Sequence, residues 1–400
     1  MAALGSQGSN AHTWVEETVY HEDIPTESLD KFLAVEAERF RNPVFRLFHT
    51  ELEAVYEEKN RSLDNDANKV QETMYYYLFP THNYGQQTTI GTIEHLKNPS
   101  LIAIRKYYNE YYVPNNMAII MAGDFNPDEL IKKIDKSFSY MKPHEVKPYH
   151  PAPEKPITTP IIKEVLGPSA ENVSIGFRSA DVTSRDAMMA DLVSSILYNG
   201  TAGLIDLNLN KQQKVMRSFA YLSQFKDYGV FTLGGQPKQG QSLEEVKDLL
   251  FSQIELLKKG QFDESLIKAI VANKKLSEMR SMSNNTYRVR NLMTSFIQTK
   301  GNGWDKDAAL NDNMLKVTKA EIVAFANRFF GNNYVLIYKR KGEDKNIVKV
   351  EKPAISPVET NAGKESPFVA MIKAMPSTPV KPQWLDFNKD MQKGKIGNTE

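Results

Sequence analysis

The chain has 400 residues, of which 41% are hydrophobic and 25% charged, the make-up of a globular protein long enough for two cores. Lys and Arg number 50 against 49 for Asp and Glu, a net charge of +1 that gives no electrostatic case for nucleic acid or an anionic membrane. There are no cysteines, which excludes disulfides, thiolate metal sites and a Cys nucleophile, and no apolar run is long enough to cross a bilayer.

The opening "MAALGSQGSNAHTW" has neither the basic nor the apolar region of a signal peptide. It enters abruptly into what reads as the middle of a domain, so the chain is expected to be an internal piece of a longer protein. Residues 9–21, "SNAHTWVEETVYH", alternate and are rich in Thr, Val and aromatics, which predicts a strand. "TESLDKFLAVEAERF" predicts a helix with Leu29, Phe32, Leu33, Ala37 and Phe40 on its apolar face. After Pro43 come helices in "FHTELEAVYEEKN" and "DANKVQETMYYYLF". "PSLIAIRKYYNEYY" predicts another, with Pro99 near its first position and "VPNN" ending it. "MAIIMAGD" predicts a short buried strand, and "NPDELIKKIDKSF" a helix with Asn126 as N-cap, Pro127 at its first position and Glu129 at its third.

Residues 142–160 hold six prolines and no apolar period, the pattern of a linker. Beyond it, "IIKEVL", "NVSIGFR", "SFAYLSQF", "GVFTLGG" and "YVLIYKR" predict strands. "SRDAMMADLVSSILY" and "SLEEVKDLLFSQIELLKK" predict helices, the second with a Ser242–Glu245 capping box and a stop at Gly260. Residues 342–400 are polar and proline-punctuated, with one short helix at "PFVAMIKAM".

An internal repeat is visible: "NEYYVPNNMAII" (109–120) resembles "NRFFGNNYVLIY" (327–338), and "SLDKFLAVEAERF" resembles "SLEEVKDLLFSQI". The fold class expected is therefore α+β, two related domains that each pack helices on a mostly antiparallel sheet. Their spans are 1–145 and 146–341, with 342–400 as a linker or tail.

In "FHTELEAVYEEKN", Glu51, Val55 and Glu58 fall at i, i+4 and i+7 and share one helix face. Carboxylates beside an apolar stripe can gather a cation; the same glutamates also fit a solvated face. The repeat's counterpart of Glu58 falls near Lys274 and Lys275, so carboxylates at this place are not a requirement of the fold. The seven histidines form neither HExxH nor HxxEH. His49 and Glu53 are i, i+4, but two ligands do not hold zinc tightly, and His144 and His150 lie in the proline stretch. No GxSxG, P-loop or dinucleotide glycine pattern is present, and "TLGGQPKQG" reads as a bend in a sheet.

Several segments together carry a resemblance: "GSNAHTWVEETVYH", "AERFRNPVF", "ELEAVYEEKNRSLDND", "LFPTHNYGQQTTIGT" and "YYVPNNMAIIMAGDFNPDEL". In that order they resemble the insulinase/pitrilysin-type zinc peptidases, through residues 5–140 and more weakly to about 340. That family holds Zn²⁺ with two histidines of an inverted HxxEH and a distal Glu, and the Glu within HxxEH activates the water. The resemblance implies that Glu58 is the distal zinc ligand and Glu51 a carboxylate that orients a ligating histidine. It implies that "SNAHTW" is an edge strand to which a substrate peptide adds, with Asn10 and Ala11 nearest the scissile bond. It also implies that HxxEH lies upstream of residue 1 and that a second half or partner subunit supplies the family's Arg/Tyr pair; "LIDLNLNKQQKV" offers none.

The expected function is thus a part of a zinc-dependent metalloendopeptidase, inactive by itself and without zinc of its own. The alternative is a non-catalytic homologue, a structural or peptide-binding partner of an active peptidase. The expected partners are a peptide, the missing half and a second copy of the chain. An exported, periplasmic setting is favoured over a cytoplasmic one by the resemblance.

Overall fold

A computed structural model describes residues 1–345 except 46 and 98, together with 348–351, 354, 358–376, 384–392, 394, 395 and 397. The chain begins with an antiparallel ribbon, β1 (Gly8–Thr13) and β2 (Thr18–Asp23), in an unbroken register from Gly8↔Asp23 to Thr13↔Thr18. Seven helices come next: α1 (Leu29–Arg41), α2 (Phe48–Asp64), α3 (Asp66–Leu78), the single turn α4 (Asn83–Gln86), α5 (Ile93–Lys97), α6 (Leu101–Tyr111) and α7 (Pro127–Phe138). Asn126 Oδ1 accepts from the Asp128 and Glu129 amides and Pro127 opens the helix, as the sequence predicts.

Residues 142–160 carry no helix or strand. After them come β3 (Ile161–Gly167), β4 (Asn172–Ser179), α8 (Arg185–Leu197), β5 (Arg217–Gln224), β6 (Gly229–Gln236), α9 (Leu243–Lys258), α10 (Ser265–Ser281), α11 (Asn285–Thr299), the short α12 (Trp304–Ala308) and α13 (Leu310–Met314), α14 (Lys319–Phe329) and β7 (Tyr334–Lys341). The five strands form one sheet in the order β3-β7-β4-β6-β5, parallel between β3 and β7 and antiparallel elsewhere. The fold is α+β, with antiparallel pairing dominant.

Two faces of this sheet are covered differently. One carries α8, α9 and α14 over a core that includes Ile175, Phe177, Phe231 and Leu336. Each of those aromatic rings is fully buried, worth about 2 kcal/mol relative to exposure. α8 is apolar on nearly all sides because it is enclosed on nearly all sides. α9 starts on the Ser242–Glu245 capping box and stops at Gly260, whose φ of 67° a residue with a Cβ rarely adopts.

The opposite face is covered by α3, from the other side of the proline stretch. Val70, Met74 and Leu78, spaced by four, lie with Phe79 and Tyr84 on Val165, Val230, Val335 and Ile337.

Four expectations are corrected. Residues 9–21 are two strands, because the peptide reverses at Trp14–Glu17, where the Trp14 amide donates to the Glu17 carbonyl (2.9 Å). No Gly or Pro marks that turn. Residues 117–124, expected as a buried strand, form no strand and are partly or fully exposed, since among the described residues no strand lies beside them. The sheet of the N-terminal part is accordingly the β1–β2 ribbon alone among the described residues. Pro99 precedes the helix rather than opening it: Ser100 is the N-cap, its side chain accepting from the Ala103 amide. Residues 342–400 are not all a free tail: the helix expected at "PFVAMIKAM" is present as α15 (Pro367–Ala374), but Val350 is buried on α2 with Leu52 and Tyr56, tied by paired hydrogen bonds to the Asn60 amide group.

Candidate functional site

All six residues of β1 are exposed, and among the described residues β2 is its one strand partner. The Trp14–Glu17 bond makes 14·17 a hydrogen-bonded pair, so by alternation 12·19 and 10·21 are too. Ser9, Ala11 and Thr13 therefore turn their main-chain N–H and C=O groups to the free edge. Side chains agree with this phase. Ser9 donates to Glu22 across the ribbon (2.9 Å), and Thr13 and Thr18 hydroxyls meet at 3.3 Å. The Ala11 amide, facing away from β2, is occupied by Asn10 Oδ1 at 2.9 Å. The expected peptide-binding positions Asn10 and Ala11 thus sit together on an open strand edge with one outward amide capped by a side chain.

Glu51 and Glu58 lie on α2. On α2 the packed stripe is Leu52, Tyr56 and Lys59, one residue on from the acidic positions, and it faces α5 and Val350. Val55 leans on that core, whereas Glu51 and Glu58 are exposed. Of the two settings the sequence leaves open, the acidic face has the solvated one. His49 is exposed on the same helix against Phe48. His12 and His21 share one face of the ribbon with ring centroids 6.1 Å apart. Among the described residues no group of three His, Cys, Asp or Glu is arranged to hold a metal ion. Two exposed carboxylates without an imidazole are not a zinc donor set, so the described residues do not by themselves fit Zn²⁺. At the counterpart position, Lys274 and Lys275 pair with Asp191 (3.0 Å) and Asp312 (2.5 Å), an ordinary charged surface.

A buried polar node joins the ribbon's turn to the five-stranded sheet, and sequence reasoning did not find it. His82 is 1% exposed. Its Nδ1 accepts from the Tyr84 amide (3.1 Å) as the cap of α4, which leaves Nε2 to donate to Asp227 (3.3 Å). Glu154, from the proline stretch, accepts from the Thr81 and His82 amides at 2.8 and 2.7 Å and stands 3.9 Å from the Arg178 guanidinium. Burial pulls Arg178 below its ordinary value while Glu154 opposes the shift. The Tyr84 hydroxyl donates to Glu16 and accepts from the Asp227 amide (3.2 Å). Burial pushes the Tyr84 hydroxyl up, and the Glu16 carboxylate adds to the shift. The signal was the stretch "THNYGQQTT", but nothing in its spacing names the distant partners Glu16 and Asp227.

Residues 100–274 match the model of the peptidase M16 inactive domain, a span from α6 through most of α10. The zinc protease PqqE of Helicobacter pylori is 26% identical over 291 residues, 69% of this chain and 64% of that protein. The uncharacterized zinc protease YmxG of Bacillus subtilis is 23% identical over 254 residues, 62% of this chain and 61% of that one. The chain therefore spans a little under two thirds of these relatives. A protease from Helicobacter pylori superposes with a TM-score of 0.74 at 22% identity, over 85% of this chain and 83% of that one. The first half of the periplasmic protease PqqL from Escherichia coli gives 0.66 at 14% identity, over 83% and 75%. Both structural likenesses speak for the fold. The matched inactive domain and the relatives named as zinc proteases support a relation to the M16 peptidase family.

Proposed function

We propose that the chain is the peptide-holding part of an M16 zinc metalloendopeptidase, and that it does not cleave peptides unaided. The observation that carries this is the free edge of β1, where Ser9, Ala11 and Thr13 present main-chain groups with no strand partner. An extended peptide adds there by backbone pairing, largely independent of its sequence. In this reading Asn10 and Ala11 lie beside the bond to be cut. Glu58 serves as one metal ligand and Glu51 as its neighbour, with the imidazoles supplied from outside the residues described. The relatives' names support the class of reaction, and PqqL's periplasmic setting supports export. Among the described residues no helix is long and apolar enough to cross a membrane.

A second reading has the chain as a non-catalytic partner that holds peptide for an active subunit. The outward, imidazole-free setting of Glu51 and Glu58 favours it. One experiment tests the shared core: the purified chain is dialysed against Zn²⁺, its metal counted, and casein cleavage and binding followed. The expected result is casein bound, no cleavage and no retained zinc. Stoichiometric zinc with turnover would overturn the proposal, as would failure to bind casein. The coding sequence upstream of Met1 separates the two readings: an HxxEH there favours the first.

A further inference from the structure

The reversing turn of the ribbon is fastened to two other elements. Val15 packs at the rim of the core that α3 shares with the five-stranded sheet. The Glu16 carboxylate accepts from the Tyr84 hydroxyl on α4 and from the Lys226 amide in the β5–β6 turn, at 3.0 and 3.1 Å. We propose that Glu16 is a positioning residue: by tying the β1–β2 turn to Tyr84 and to the β5–β6 turn, it sets where β1 presents its free edge to a peptide. This rests on the peptide-holding reading above and deepens it.

The physical need is plain. A two-stranded ribbon is marginal in water by itself, and β1 buries none of its six residues. Its place must come from fixings outside it. The middle of the ribbon has one in Tyr20, opposite Ala11, whose hydroxyl lies 3.2 Å from that of Tyr112 and whose ring meets Phe40 edge-on. The turn has a stronger one, because its acceptor is a carboxylate meeting two donors from two different elements.

Those donors are themselves held. The Tyr84 ring packs against Phe225 and His82, with centroids 4.9 and 3.9 Å away, and its oxygen takes the Asp227 amide. The Lys226 amide sits in the turn that the Phe225–Tyr228 backbone bond closes at 2.9 Å. From the turn at Trp14 to Ala11 the chain runs roughly 10 Å, so a rotation at the turn displaces the free amides. Glu16 is partly buried, and burial pushes its carboxyl up despite both bonds. A carboxylate kept there against that penalty, when a solvent-facing turn would avoid it, points to a placing role rather than to stability.

The test uses the whole chain with Glu16→Ala, Tyr84→Phe and Glu16→Gln, read by hydrogen–deuterium exchange and by anisotropy of a fluorescein-labelled casein peptide. Glu16→Ala and Tyr84→Phe are expected to speed exchange in β1 and β2, and to weaken peptide binding, each by about tenfold. Exchange in β4 and β7 stays at the wild-type rate. Glu16→Gln, which keeps an acceptor for the donors, restores both readouts. Unchanged ribbon exchange in Glu16→Ala overturns the positioning role, as does a rise that includes β4 and β7, which marks loss of overall stability. Failure of Glu16→Gln to restore the ribbon also overturns it. A wild-type chain that binds no peptide overturns the peptide-holding reading instead, and ribbon exchange still decides what Glu16 positions.

Discussion

Lys339 Nζ lies 2.9 Å from Asp66 Oδ2, and both side chains are buried. The pair joins β7 to the first turn of α3 across the proline-rich stretch. Asp66 also accepts from the Ser169 amide (2.9 Å) and hydroxyl (2.5 Å), and Lys339 donates to the Gly167 carbonyl (3.0 Å) and to that of Ser169. Each charge is thus paired and further hydrogen-bonded, the condition under which a buried pair persists.

Asp66→Asn should destabilise the chain by about 3 kcal/mol, because it strands an ammonium group in the interior. Adding Lys339→Met should lessen the loss, since the stranded charge is then gone. Urea unfolding of the single and double variants measures both, and strictly additive losses would argue against the pairing.

The same pair predicts behaviour in acid. Burial alone would raise the Asp66 carboxyl; the Ser169 bonds and Lys339 outweigh it and hold the group at about 2, against 3.8 ordinarily. The folded value lies below the unfolded one, so the stabilisation is complete above roughly pH 4 and fades as pH falls through about 2. An acid titration followed by near-ultraviolet circular dichroism should show Asp66→Asn lacking this part of the transition.

Gly167→Ala should cost about 1–3 kcal/mol, read as a lower melting temperature. A Cβ on Gly167 would fall within the Asp66 carboxylate, so the substitution pushes that group off Lys339. Combined with Asp66→Ala, the same substitution should cost much less, as the obstructing group is removed.

The register of the ribbon separates two proline substitutions. Ala11→Pro removes an outward amide and should leave β1 paired while weakening peptide binding about tenfold or more. His12→Pro removes an amide committed to β2 and should release the ribbon itself. Exchange mass spectrometry on residues 8–23 distinguishes these outcomes.

Unpaired edges also favour self-association. Among the described residues neither outer edge of the ribbon has a strand partner, residues 117–124 are in no strand, and Ile119 and Ile102 are 48% and 85% exposed. The chain should form dimers as its concentration rises in light scattering, and Ile119→Lys should shift it toward monomer. A single-chain mass at millimolar concentration would count against the idea.

Where caps and periods are local, the sequence was legible. The Ser242 box and the Asn126 cap are dictated by residues within one turn, and β3 to β7 are marked by short apolar and β-branched runs. The repeat shows the limit. α6 and α14 both end in aromatic pairs succeeded by a turn with paired asparagines, yet the residues after α14 become β7 and those after α6 stay unpaired. Strand formation depends on a neighbour that no local pattern supplies. Ser28 and Ser242 make the same point: one hydroxyl donates to the Leu4 carbonyl, the other caps its helix. At the candidate site, the edge strand was legible, and the sequence left Glu51 and Glu58 open between a cation site and a solvated face; the one-residue offset of the buried stripe of α2 decides it. The node around His82 joins residues up to 210 positions apart, beyond any reading of spacing.

α3 has a consequence for where this polypeptide can be divided. The proline-rich stretch is the obvious place to cut it, but Val165, Val230, Val335 and Ile337 are roofed by side chains from before that cut. A nick within residues 142–160 should leave two pieces that stay together through a column. A chain begun at residue 146 should instead be sticky, its sheet bare on one side and Lys339 left without its counter-charge.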